Sequence, residues 1–239
     1  MSRLIIKIAA AALAAAASTA ASAAALQVSP VLLQVQAPGA AIRMTVRNEG
    51  AQPIAVQTRV FRWTQKNGET VLEPTNAVVA SPPIVTLQSR VDYAVRVVRT
   101  SRQPVTEEES YRLFVDEIPD ASRRARGTVT LAVRHSIPVF FMPAEGDSPK
   151  LTWTVQNAGG RLKVTARNDG GRRVRIAGLR VSDGKANVSF GAGLVGYALA
   201  RSSMSWTVPA PRALGGTVTI TARGDTGPIS AKASVTSGR

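Results

Sequence analysis

The chain contains no cysteine and a single histidine in its 239 residues. Without cysteine there is no disulfide, no thiol nucleophile and no thiolate metal site. A chain of this length buries enough apolar surface to fold without such staples. Any serine triad would have to use His135, which lies in a strand-like run rather than beside a nucleophile elbow, and no Gly-x-Ser-x-Gly occurs. A structural role on a strand is expected for it. Carboxylates are also scarce, 15 Asp and Glu against 30 Lys and Arg, and too scattered to hold a metal. Glu107-Glu108-Glu109 is the one acidic run and reads as a solvated loop before a strand. No P-loop is present. Gly191-Ala192-Gly193-Leu194-Val195-Gly196 has dinucleotide-loop spacing, but no helical pattern follows it, so it reads as a plain loop. These absences argue against an enzyme and imply neither cofactor nor metal.

Long apolar runs are missing too, except at the start. Arg3 and Lys7 precede and punctuate an Ala-rich apolar stretch, and Ala21-Ser22-Ala23 has the small-x-small form of a cleavage site. Residues 1–23 therefore read as a secretory signal peptide, with a mature chain from Ala24 and no membrane insertion after cleavage. The formal charge of +15 is compatible with solvated arginines on strand faces or with an acidic protein partner; nucleic acid is not expected for an exported chain.

Helical periodicity is nearly absent, and alternation with period two takes its place. It recurs in Ile42–Arg47, Val56–Trp63, Tyr93–Val97, Thr128–Val133, Leu162–Ala166 and Thr217–Thr221. Turn signals such as Asn48-Glu49-Gly50, Asn67-Gly68 and Asn168-Asp169-Gly170 lie between these runs. Short strands separated by polar turns describe an antiparallel sandwich. An internal echo divides the chain: Arg43–Gly50 and Lys163–Gly170 are the same strand–turn unit, each followed by an apolar run. Two tandem immunoglobulin-like β-sandwiches follow, one over residues 24–145 and one over 146–239, meeting in the turn-forming stretch Ala144–Pro149.

Ser110 to Phe141 forms a hairpin with a long basic loop. Tyr111–Ile118 is its first arm, ended by Pro119-Asp120, and the run from Thr128 to Phe141 is its second. That arm is about twice the usual strand length. Val129, Leu131 and Val133 share one of its faces. The row either closes the sandwich core or is presented by an edge strand to a partner. Pro138 fits an edge, and a partner lacking a strand could be completed by β-strand addition.

Tyr111-Arg112-Leu113-Phe114-Val115-Asp116-Glu117-Ile118-Pro119, followed by Arg134-His135-Ser136-Ile137-Pro138-Val139-Phe140, resembles the F1–G1 hairpin of the periplasmic pilus (fimbrial) assembly chaperones. Ser81–Leu87, Tyr93–Val97 and Val46-Arg47-Asn48 also match that family, in the same order. The resemblance implies a periplasmic chaperone that caps pilin subunits by donor-strand complementation and delivers them to an outer-membrane usher. It implies Val129, Leu131 and Val133 as donor residues and Arg96 with Glu117 as an internal ion pair. The family's two basic residues for the pilin's terminal carboxylate align with Leu32 and Pro138, which cannot serve. That departure, with Ser-Ile-Pro-Val-Phe, resembles the archaic, spore-coat-U-type branch. A symmetric hairpin would set Arg112 opposite Arg134, and this pair is then the candidate carboxylate anchor. The competing function is a secreted structural or adhesive sandwich that self-associates through its edges.

Overall fold

The computed structural model describes residues 26–120 and 131–237, and every regular element in them is a strand. The signal segment lies outside the described residues. The first sandwich contains β1 (Leu26–Ser29), β2 (Leu33–Gln36), β3 (Ala41–Asn48), β4 (Ile54–Lys66), β5 (Glu69–Pro74), β6 (Val78–Ser81), β7 (Ile84–Leu87), β8 (Asp92–Arg99), β9 (Glu109–Ile118) and β10 (Arg134–Met142). The second contains β11 (Leu151–Ala158), β12 (Arg161–Asn168), β13 (Val174–Ser182), β14 (Asn187–Ser189), β15 (Leu194–Ala198), β16 (Ser202–Pro209), β17 (Thr217–Gly224) and β18 (Gly227–Ser237).

In the first sandwich a four-stranded sheet, β1-β3-β8-β6, packs on a six-stranded one, β2-β10-β9-β4-β5 with β7 also on β4. Alternation decides which side chains meet. Met44, Val46, Val95 and Val97 from one sheet face Val56, Leu113, Val115, Ile137, Val139 and Phe141 from the other. The strands of the second sandwich run β14-β13-β17-β18-β11-β12-β16, with β15 on β13, around Val164, Leu179, Val181, Val218 and Ile220.

The sequence echo is a structural one. Asn48 and Asn168 are fully buried at the ends of β3 and β12. Asn48 Nδ2 donates to the Gln52 and Leu87 carbonyls while its Oδ1 accepts from Gly50 N. Asn168 repeats this with Arg172, Ala198 and Gly170. Each asparagine satisfies the backbone of its own turn, which a buried turn requires.

The β4–β5 hairpin turns on Asn67 (φ 56°) and Gly68 (φ 80°), the positive pair of a type I′ turn. Its tip touches the second sandwich, where Ser205 N donates to the Gly68 carbonyl at 2.9 Å. A Cβ on Gly68 would stand 2.4 Å from Ser205 Oγ, so the close approach itself requires glycine.

Candidate functional site

Strand β10 has two unlike halves. All but its last residue pairs antiparallel with β9, from Arg134↔Asp116 to Phe141↔Glu109. On its other edge β2 pairs only Val139–Met142. Among the described residues, Arg134–Pro138 therefore has an open edge. The Val133 carbonyl accepts from Glu117 N at 2.9 Å, so the odd-numbered residues of β10 bond towards β9 and the even-numbered ones towards the open edge. Pro138, which has no N–H, occupies one of those outward positions, where it removes no bond from the β9 ladder. His135 fills the structural role expected of it: its Nε2 lies 2.9 Å from the Leu26 carbonyl and ties β10 to β1.

Leu131 and Val133 continue the parity of Ile137, Val139 and Phe141, which close the core. Val133 is half-buried at the mouth of the hairpin, whereas Leu131 is 84% exposed. Val129 lies outside the described residues. The strand expected from Thr128 begins, within the described residues, only at Arg134. In this register Ala132 comes level with Ile118, the last residue of β9, and Leu131 lies beyond it, and neither is in a ladder among the described residues.

The register overturns the expected pairing of Arg112 with Arg134. Arg112 faces Pro138, and Arg134 faces Asp116. The reason is the length of the loop: the hairpin closes on Glu117 and Val133, not symmetrically on Ile118 and Thr128. Arg134 is held by Asp116, with Nε to Oδ1 at 2.5 Å, and its guanidinium lies 5.0 Å from the Phe114 ring centre. Arg59 holds the second oxygen of Asp116. Burial opposes ionisation of Asp116, but the hydrogen bonds from Arg134 and Arg59 outweigh it and hold the carboxyl below its ordinary value.

Arg112 is placed differently. Its guanidinium lies 3.8 Å from the Trp63 ring centre, over a cluster of Trp63, Phe140, Tyr197 and Leu199 that joins the two sandwiches, with Leu32 packed against it. It has no acidic or hydrogen-bonding partner among the described residues. Burial pushes its pKa down, and Tyr197 opposes the shift. A half-buried guanidinium, unpaired among the described residues, therefore stands across the ladder from Pro138 and over the cluster that Leu32 borders, and Leu32 and Pro138 are the two positions where the resemblance leads one to look for a base.

Residues 25–147 match the family described as Pili and flagellar-assembly chaperone, PapD N-terminal domain. The chain belongs to this family. Among solved structures, the CsuC–CsuE chaperone–tip adhesion subunit pre-assembly complex from the archaic chaperone-usher Csu pili of Acinetobacter baumannii matches over 90% of this chain and 100% of its own, at 23% identity and a TM-score of 0.67. The E. coli chaperone DraB matches over 86% and 96%, at 22% identity and 0.58. The Salmonella enterica SafA pilin in complex with the SafB chaperone matches over 86% and 95%, at 19% identity and 0.59. These likenesses carry the fold, a pair of immunoglobulin-like sandwiches. No curated protein matches the sequence significantly.

The chaperone's internal ion pairs differ from the expected one. Arg96 and Glu117 do not meet. Arg96 is on the outer face of β8, opposite Arg43, while Glu117 is on the inner face of β9 in the other sheet, where its carboxylate accepts from Val133 N at 3.4 Å. Only part of the acidic run is solvated loop: Glu107 is exposed, whereas Glu108 and Glu109 are engaged. Glu109 accepts from Nη2 and Nε of Arg99 at 2.8 and 2.9 Å. Glu108 crosses to the second sandwich, accepting from Arg173 N at 3.0 Å and from its guanidinium, with side chains 1% and 7% exposed. Gln65 completes the clamp, donating to the Tyr197 carbonyl at 2.7 Å and accepting from Leu199 N at 3.0 Å. One sequence signal was available for this interface. β4 is apolar on both faces, with Val56 and Val60 inward and Phe61 and Trp63 outward, as in a strand packed on two sides.

Proposed function

We propose that this chaperone acts in the periplasm, binding pilin subunits by donor-strand complementation and passing them to an outer-membrane usher, in the manner of the archaic branch. The observation that carries this is the exposed Leu131, on the core-facing parity of a strand whose edge from Arg134 to Pro138 has no partner among the described residues. A subunit strand laid on that edge would recover main-chain hydrogen bonds. Val129, Leu131 and Val133 would enter successive positions of the subunit's open core. Each such side chain contributes about 1.5–3 kcal/mol on burial, enough in sum to hold a subunit without ATP. The domain division at residue 145, in the segment between β10 and β11, belongs to the same reading.

Arg112 is the anchor proposed for the subunit's terminal carboxylate. It is unpaired among the described residues, lies over the cluster that joins the two sandwiches and stands opposite Pro138. Arg134, engaged by Asp116, supports the open edge rather than the anchor. The test is co-expression with a pilin subunit. A one-to-one complex recovered through the chaperone supports the reading. Ordered assembly of the purified chain alone, with no subunit captured, would support the self-associating adhesive instead.

A further inference from the structure

We propose that the outward face of the second sandwich carries a phosphate-binding site built on Arg180, Arg223 and Thr221. The β13–β17 ladder pairs Ala177 with Arg223 and then Arg180 with Thr221, so Gly178 and Leu179 together face the single residue Ala222. This is a β-bulge, and Gly178 adopts φ 59° within it. The extra residue changes the parity of the strand. Ile176, Leu179 and Val181 all face the core, and Arg180, which would otherwise share the parity of Ile176, is turned outward. It then stands beside Thr221 and diagonal to Arg223, a separation of about 7–8 Å between backbones that two guanidiniums readily span.

The site is concave. Arg180, Arg223 and Thr221 line a cavity of about 380 Å³ over the bulge. Its rim includes Ala192 of the Gly191–Gly196 loop, which is tied to the bulge by Gly178 N donating to the Gly193 carbonyl at 2.9 Å. The dinucleotide-like spacing of that loop thus gives small residues beside the arginines and leaves the space open. No carboxylate lines the cavity among the described residues. Asp225, the acid nearest in sequence to Arg223, lines a different cleft beside Arg173. Neither arginine has an ion-pair or hydrogen-bond partner among the described residues.

Two guanidiniums arriving from different strands, with a hydroxyl between them, offer donors from several directions. A tetrahedral oxyanion has acceptors to meet them all, whereas one fork satisfies a planar carboxylate. Residues 146–239 hold fourteen Lys and Arg against four Asp and no Glu, a field that draws anions to this half of the molecule. The phosphate is either free in solution or part of an anionic lipid headgroup.

The test is titration of the purified chain at low ionic strength with inorganic phosphate, with vesicles of phosphatidylcholine containing phosphatidylglycerol, and with phosphatidylcholine vesicles alone. The Arg180→Ser/Arg223→Ser variant should lose about tenfold or more in affinity. An Arg43→Ser/Arg102→Ser variant, which removes the same charge from the first sandwich, should lose less than about twofold. Circular dichroism checks that both remain folded. Binding of phosphate alone supports a soluble ligand, and binding only of the phosphatidylglycerol vesicles supports the headgroup. Equal losses in the two variants, or no binding to any probe, would overturn the proposal.

Discussion

Arg112 stands directly across the β9–β10 ladder from Pro138, and its guanidinium rests 3.8 Å from the Trp63 ring centre. A position on β10 that carries no usable base is thus faced by one on β9. The Arg112 guanidinium lies over the cluster that joins the two sandwiches.

Arg112→Ala should leave the free chain folded. It loses a cation–π contact worth about 0.5–2 kcal/mol and leaves no acid unpaired, because Arg112 has no acid partner among the described residues. Affinity for a pilin subunit should fall at least about tenfold. A subunit with an amidated C-terminus should bind wild type and variant equally. Arg134→Ala should keep the distinction between free and amidated subunits. Surface plasmon resonance with the six combinations checks this; loss of the distinction in Arg134→Ala, and not in Arg112→Ala, would move the anchor.

Arg173→Ala should destabilise the chain by about 3–5 kcal/mol, since it leaves the Glu108 carboxylate buried without its cation. Glu108→Gln/Arg173→Met should lose less than either single change. Urea unfolding followed by tryptophan fluorescence is the measurement, and Trp63 in the interface is a suitable reporter.

Acid should act on the hairpin through Asp116. Its folded pKa lies below the unfolded value, so its contribution is full above the ordinary carboxylate range and is lost as pH falls through the folded pKa. Glu108 works in the opposite sense: burial raises its pKa despite Arg173, so protonation relieves part of its burial penalty. Between about pH 5 and pH 2 the wild type should therefore lose more stability than Asp116→Asn. Equal losses would mean that Asp116 is not linked to unfolding.

Much of this was legible in the sequence because strand alternation is a local signal. The strands, the twin Asn turns and the hairpin all come from residues that decide their own facing. Register is not local. A symmetric loop pairs Arg112 with Arg134, whereas the structure pairs Arg112 with Pro138, a shift of four residues on β10 that no side-chain pattern in the loop encodes. Glu108 was missed for a related reason. An acidic triplet looks solvated until a second domain places Arg173 against it. Arg180 shows the same limit, since its facing depends on a bulge at Gly178 that strict alternation does not contain.

The donor strand is tested most directly at Leu131. Leu131→Asp changes a side chain that is 84% exposed in the free chain, so the melting temperature should shift by no more than about 2 °C. The same charge placed in a subunit's apolar groove would lose its hydration, and co-purification of the pilin subunit should be abolished. An unfolded variant would assign Leu131 to the chaperone's own core, and a folded variant that still captures the subunit at wild-type yield would contradict donor-strand complementation by this strand.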